Sequence, residues 1–221
     1  MEEYNRELSR ILAMESPEYL KLGLYRNGEQ VQLNGNVLQS ESEFYSSIRL
    51  KQNVGKGESQ LEALTKRGVK YLEIRILDID PFERIGMSLE QLYFLQVFMN
   101  YCLFEGSQFI AKDEYEQMTA NHQLTAIFGR RDDLMLHHYD GQMISLKAFA
   151  ESMLEKCRYI AELMDKASGT SKYMDSLEKQ SLKLRDKSFL PSERIYQETK
   201  AKGDSFVNFG VRQAKKNIER I

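Results

Sequence analysis

Hydrophobic and polar positions change rhythm twice along the 221 residues of this chain. Tyr4, Leu8, Ile11 and Leu12 recur at helical spacing and predict a helix over residues 2–14. Ser16 and Pro17 supply an N-cap and a proline at the first helical position, which predicts a short helical turn through Tyr19. Two short runs, residues 20–26 and 29–33, then flank Asn27-Gly28. An Asn-Gly pair accepts positive φ at both central positions of a tight turn, so this stretch predicts a β-hairpin. Asn34-Gly35 marks a further turn. Residues 37–49 alternate with period two, and this predicts one long strand. Val37, Gln39, Glu41, Glu43, Tyr45, Ser47 and Arg49 fall on one face. Leu38, Ser40, Ser42, Phe44, Ser46 and Ile48 fall on the other.

Polar residues 52–60, with Gly55 and Gly57, read as a loop, and residues 61–67 as a short helix. Residues 71–76 form a second alternating stretch, with Tyr71, Glu73 and Arg75 on one face and Leu72, Ile74 and Ile76 on the other. Pro81 ends the extended region. From Ser88 the period becomes helical. Ser88 and Gln91 have capping-box spacing, and Leu92, Leu95, Phe98, Met99 and Cys102 make an apolar stripe wide enough to predict a buried core helix. Residues 109–141 predict a short helix followed by loops about Gly129-Arg130-Arg131 and Gly141. Leu146, Phe149, Met153, Cys157, Ile160 and Met164 mark a long amphipathic helix broken by Gly169. Further helices are expected over residues 173–185, 192–202 and 204–220. The fold class that follows is α+β: antiparallel strands in residues 1–87, and a helical region over residues 88–221 packed on them as one structural unit.

Charge narrows the functional classes. With 31 basic and 33 acidic side chains the net charge is −2, and no basic stripe interrupts the pattern, which argues against a nucleic-acid partner. No apolar run is long enough for a bilayer, and the acidic, polar N-terminus is unlike a signal peptide; the expectation is a cytoplasmic protein with no membrane partner. Cys102 and Cys157 both sit in apolar helical patterns and are expected to be buried free thiols. His137 and His138 are adjacent, so their side chains diverge, and they are expected to serve a loop or the surface rather than a metal.

The candidate chemistry lies on the two alternating stretches. Gln39, Glu41, Glu43, Tyr45 and Arg49 form one polar row; Glu73 and Arg75 form another. A solvated sheet face would explain such rows. Against that, Glu73 and Arg75 sit among bulky apolar neighbours in YLEIRIL, where charges require partners. A carboxylate and a guanidinium at i and i+2 project side by side, which suits one metal ligand and one phosphate contact at a common site.

These residues carry a resemblance. Asn34, Asn36, Val37, Leu38, Gln39, Glu41, Glu43 and Tyr45, then Ile48, Arg49 and Lys51, then Gly68, Tyr71, Glu73, Arg75, Asp78, Pro81 and Phe82 stand where the bacterial glutamate–cysteine ligase family has NxNVLQxExExY, IRxK and GxxYxExRxxDxxPF. Gly57-Glu58-Ser59 resembles a GES of the same family. The chain is therefore similar to the C-terminal part of such a ligase. The resemblance implies a glutamine-synthetase-like antiparallel catalytic sheet, of which residues 1–87 are a part. It also implies ATP-dependent joining of the γ-carboxylate of L-glutamate to the amine of L-cysteine through γ-glutamyl phosphate, the first step of glutathione biosynthesis. Divalent metal, Mg2+ or Mn2+, would assist. By motif match, Glu73 is the implied metal ligand, and Arg75 and Tyr45 are the implied catalytic contacts to the phosphoryl group. Glu43, Arg49 and Lys51 are weaker substrate-binding candidates.

The departures have their own implication. The family's other metal-binding carboxylates lie upstream of the NVLQ strand, and Gln52 stands where a basic residue often follows IRxK. The expectation is one wall of a site, inactive by itself, with a separately encoded N-terminal half as a candidate partner. The rival readings are a catalytically inactive remnant and a module that binds a phosphate-containing ligand without chemistry.

Overall fold

The computed structural model describes residues 2–106 and 109–219. The chain divides into two compact units, residues 1–78 and 79–221, and each is described by itself.

The first unit opens with helix α1 (Glu2–Leu12) and helix α2 (Pro17–Leu22), the latter capped by the Ser16 hydroxyl, which accepts from Tyr19 N–H. Strands β1 (Tyr25–Arg26) and β2 (Glu29–Gln30) form the hairpin expected around Asn27-Gly28. Asn27 and Gly28 have φ of 53° and 83°, the left-handed pair such a turn requires. Strand β3 (Ile48–Lys51) pairs antiparallel with β4 (Tyr71–Ile74), and between them lies α3 (Gln60–Arg67). Ser59 and Glu62 close a reciprocal capping box at the start of α3; Gly68, at φ 72°, ends it and turns the chain into β4. Leu8 of α1 and Ala63 and Leu64 of α3 are buried. Asn5 donates to the Thr65 hydroxyl at 3.0 Å and joins the two helices.

The long strand expected over residues 37–49 does not form. Only its end pairs, as β3, and Glu41–Glu43 make a single 3-10 turn. Side chains bind backbone N–H groups just before this stretch and at its start. Asn34 Oδ1 accepts from Asn36 N–H at 2.8 Å, Gln39 Oε1 from Leu33 N–H at 2.7 Å, and Glu43 Oε2 from Gln39 N–H at 2.7 Å. The polar row read from alternation is therefore not one face of one strand.

The second unit contains α4 (Leu89–Phe104), α5 (Lys112–Phe128), strands β5 (Met135–His137) and β6 (Met143–Ser145), α6 (Leu146–Ser168), α7 (Lys172–Arg185), α8 (Pro191–Lys202) and α9 (Phe206–Ile218). Val97 and Tyr101 of α4, Cys157 and Ala161 of α6, and Tyr173 and Leu177 of α7 make its core. The turn from α6 to α7 uses Gly169 in the left-handed conformation. Buried Asp165 then caps α7 from outside that helix, accepting from Tyr173 N–H at 3.0 Å and Met174 N–H at 2.9 Å.

Three expectations for this unit change. α4 is only partly buried: Leu103 and Phe104 are 74% and 73% exposed, and Cys102 is exposed, because only the stripe through Val97 and Tyr101 meets α6 and α7. Residues 109–141 hold a helix of 17 residues, not a short one. That helix is followed by the β5–β6 hairpin, whose Leu136 is buried. α9 ends at Ile218, and Arg220, the last residue of that expected helix, lies outside the described residues. Each unit combines helices with two-stranded antiparallel sheets, and the architecture is α+β.

Candidate active-site wall on the β3–β4 pair

In the β3–β4 register Arg49 faces Glu73, Lys51 faces Tyr71, Ile48 faces Ile74 and Leu50 faces Leu72. Pleating then puts Arg49, Lys51, Tyr71 and Glu73 on one side and the four aliphatic residues on the other. Arg75 N–H donates to Ser47 O at 2.8 Å, which carries the ladder one step past β4 and keeps Arg75 on the side of Glu73.

That side holds a compact charge cluster. Arg75 Nε donates to Glu73 Oε1 at 2.8 Å, and Lys51 Nζ lies 3.8 Å from Glu73 Oε2. The Arg75 guanidinium carbon sits 5.4 Å from the centroid of the Tyr45 ring. Side chains of Lys51, Glu73 and Arg75 are 20%, 34% and 35% exposed, so the cluster is half-buried and open to a ligand. Two cations meet one carboxylate, and the local charge is positive.

The remaining candidates do different work. Arg49 is buried, at 8% exposure. Burial pushes the Tyr4 hydroxyl above its ordinary range, the charge of Arg49 opposes this, and that of Glu41 adds to it. Glu41 itself binds the start of α3, accepting from Gln60 N–H at 2.8 Å and Leu61 N–H at 2.6 Å. Glu43 is bonded to Gln39 N–H. The structure thus brings Tyr45, Lys51, Glu73 and Arg75 together, gives Glu41 and Glu43 backbone partners of their own, and buries Arg49. The influence of Arg49 and Glu41 on the Tyr4 hydroxyl was not foreseen; no short-range pattern links residues so far apart in the chain.

Among the described residues no group of three His, Cys, Asp or Glu side chains is placed to hold a metal ion. Glu73 is a single donor with each oxygen turned toward a cation, so these residues do not by themselves fit a divalent ion.

Comparison with known proteins agrees with the motif. The glutamate–cysteine ligase family model matches residues 1–125. A glutamate–cysteine ligase of Clostridium acetobutylicum is 49% identical over 97% of this chain, and one of Pseudomonas putida KT2440 is 38% identical over 98%. A crystal structure of glutamate–cysteine ligase from Francisella tularensis, in complex with AMP, superposes with a TM-score of 0.87 at 32% identity over 98% of this chain. The chain spans 45%, 41% and 43% of those three proteins, less than half of each. With more than half of its length matched by the family model and its β3–β4 face carrying the motif residues, this chain belongs to the glutamate–cysteine ligase family.

Proposed function

We propose that this chain supplies one wall of an ATP-dependent ligase site that joins the γ-carboxylate of L-glutamate to the amine of L-cysteine through γ-glutamyl phosphate. The observation that carries the reading is the positive cluster of Lys51 and Arg75 around Glu73, backed by Tyr45, on the β3–β4 face of a family member. Phosphoryl transfer depends on positioning and on neutralising charge at the phosphoryl oxygens. Arg75 is suited to that task, because a guanidinium offers parallel donors in a plane. The Tyr45 ring lies within cation–π range of the guanidinium, 5.4 Å from its central carbon. Lys51 adds a second cation. Arg49 and Glu43 take part through the scaffold. The AMP found in the Francisella ligase supports a nucleotide as the phosphoryl source.

Mg2+ or Mn2+ belongs to this reading only with carboxylates from outside these residues, Glu73 being the one donor on this wall; no step is assigned to the metal. Such carboxylates would come from polypeptide equivalent to the part of the relatives not matched here, for which a separately encoded N-terminal half is the proposed partner. No helix among the described residues is long and apolar enough to cross a membrane. A cytoplasmic site for the reaction is part of the proposal.

A coupled assay for ADP release with glutamate, cysteine, ATP and Mg2+ tests it. The chain is assayed alone and mixed with the remaining polypeptide of a full-length relative. Turnover that needs both amino acids, appears on mixing and is lost in Arg75→Ala bears the proposal out. The absence of turnover in every mixture rejects it. The positive excess at Lys51 and Arg75 favours a second reading, a module that binds a phosphate-containing ligand without chemistry. That reading requires nucleotide binding in calorimetry with no turnover in any mixture.

A further inference from the structure

Residues 80–86, the loop that carries Pro81 and Phe82 of the motif, are pinned by α8 and α9 and still present bare apolar side chains. Asp80 N–H donates to Gly86 O at 2.8 Å and closes the loop, while Phe82 N–H donates to Asp80 Oδ1 at 2.9 Å inside it. Phe82 packs edge-on to buried Phe209 of α9, with ring centroids 5.9 Å apart, and the Arg194 guanidinium carbon of α8 lies 3.7 Å from the centre of the Phe82 ring. Asn217 Nδ2 of α9 donates to Pro81 O at 3.4 Å and Glu83 O at 3.5 Å. Gly86, at φ 78°, passes so close to Ile79 that a Cβ there would meet Ile79 Cγ2 at 2.8 Å. Ile79 is thereby set beside the residue that follows Ile85. These two isoleucines are 82% and 80% exposed, and Arg84 next to Ile85 is exposed too.

We infer that Ile79, Arg84 and Ile85 form a preorganised docking knob, and that its occupant is an apolar socket rimmed by carboxylate on the polypeptide that completes the ligase. The inference rests on the reading of this chain as one wall of a ligase site and names the contact by which the rest is held. Single exposed aliphatic residues are ordinary, but a pair set together on an anchored loop marks a contact surface. A mobile loop loses conformational freedom when it binds, whereas this one is ordered by Phe82 and Asn217 before any partner arrives. Coverage argues for the occupant. The chain spans 45%, 41% and 43% of three ligase relatives, so more than half of each lies outside the region matched here. Charge argues against a second copy of this chain. A two-fold contact through the loop presents the same patch from both sides and sets two copies of Arg84 against one another.

For the test, the tagged chain is co-expressed with the remaining polypeptide of the Clostridium acetobutylicum ligase. The complex is purified on the tag, and its dissociation on dilution is followed by sedimentation velocity without substrates. Ile79→Ser and Ile85→Ser should each raise the dissociation constant roughly tenfold, the factor that unburying most of one aliphatic side chain supplies. The double variant should lose more than either, and Arg84→Glu should also weaken the complex. Ile127→Ser removes a side chain of α5 that is 72% exposed, away from the loop in sequence, and should change nothing. Circular dichroism melts check that all variants remain folded. Four results overturn the inference: no complex with the unsubstituted chain, unchanged dissociation in the double variant, an equal loss in Ile127→Ser, or a dimer of the chain alone that the double variant disrupts. Turnover judges the ligase reading separately. A complex that turns over both amino acids and ignores the isoleucines defeats the inference and keeps that reading; a complex that needs the isoleucines and shows no turnover does the reverse.

Discussion

Glu41 is joined to Leu61 by a 2.6 Å bond from the Leu61 N–H to Glu41 Oε1, while Oε2 accepts from Gln60 N–H at 2.8 Å. A carboxylate from a 3-10 turn therefore sits on the positive end of α3, where unpaired N–H groups and the helix dipole both favour an anion. Glu41→Gln should lower the stability of the chain by about 1–2 kcal/mol, the range for losing charge-assisted bonds at a helix start. Urea denaturation followed by circular dichroism measures it. An unchanged midpoint would remove Glu41 from the scaffold and return it to the candidate ligand contacts.

Asp165 should be the most sensitive polar position of the second unit. It is 8% exposed and accepts from Tyr173 N–H, Met174 N–H and, at 3.2 Å, the Thr170 hydroxyl. Asp165→Ala leaves those backbone donors buried without a partner at the start of α7. The expected cost is about 2–4 kcal/mol, with loss of near-ultraviolet ellipticity from Tyr173. Asp165→Asn, which keeps one acceptor oxygen, should cost less; if both variants melt alike, the capping role is wrong.

The two thiols should separate cleanly. Cys102 is exposed and Cys157 is fully buried. Burial pushes the Cys157 thiol up to about 11, so near neutral pH it is both shielded and protonated. Iodoacetamide followed by mass spectrometry should find one modified cysteine in the native chain and two in denaturant. The pH dependence has a definite sign. An unfolded thiol ionises from about pH 8.5 while native Cys157 stays neutral, so this group's contribution is fully present below that pH and is lost as pH rises toward 11. Cys157→Ala should flatten stability across that window.

Glu58 gives the opposite dependence. The Arg67 guanidinium, first by hydrogen bonds of 3.0 and 2.6 Å, and then Gly55 N–H hold its carboxyl down to about 2. A depressed carboxyl stabilises the fold above its ordinary range and loses that contribution as pH falls through about 4 toward 2. In Glu58→Gln the acid limb of a melting-temperature profile should be shallower. An identical limb would mean that the loop over residues 52–59 opens before the carboxyl is protonated.

Much of this molecule is legible in its amino-acid sequence. The Asn27-Gly28 hairpin, the Ser88–Gln91 and Gly169 helix boundaries, and the alternating strand around Glu73 all rest on short-range rules: which residues accept positive φ, which side chains reach the first turn of a helix, and which faces alternate. The family motif lies in the same class, because its residues are close in sequence. Tertiary packing decided the rest. Alternation over residues 37–49 could not reveal that Asn34, Gln39 and Glu43 would bond the backbone in place of a neighbouring strand. Nor could an apolar stripe on α4 say that only its Val97–Tyr101 side meets other helices and leaves Cys102 outside. The division of labour among the charged residues was hidden for the same reason. Arg49 went into the interior, where its charge acts on Tyr4, while Lys51 and Arg75 closed on Glu73. A side chain's charge is written in its own residue, whereas its partner is selected by distance in three dimensions.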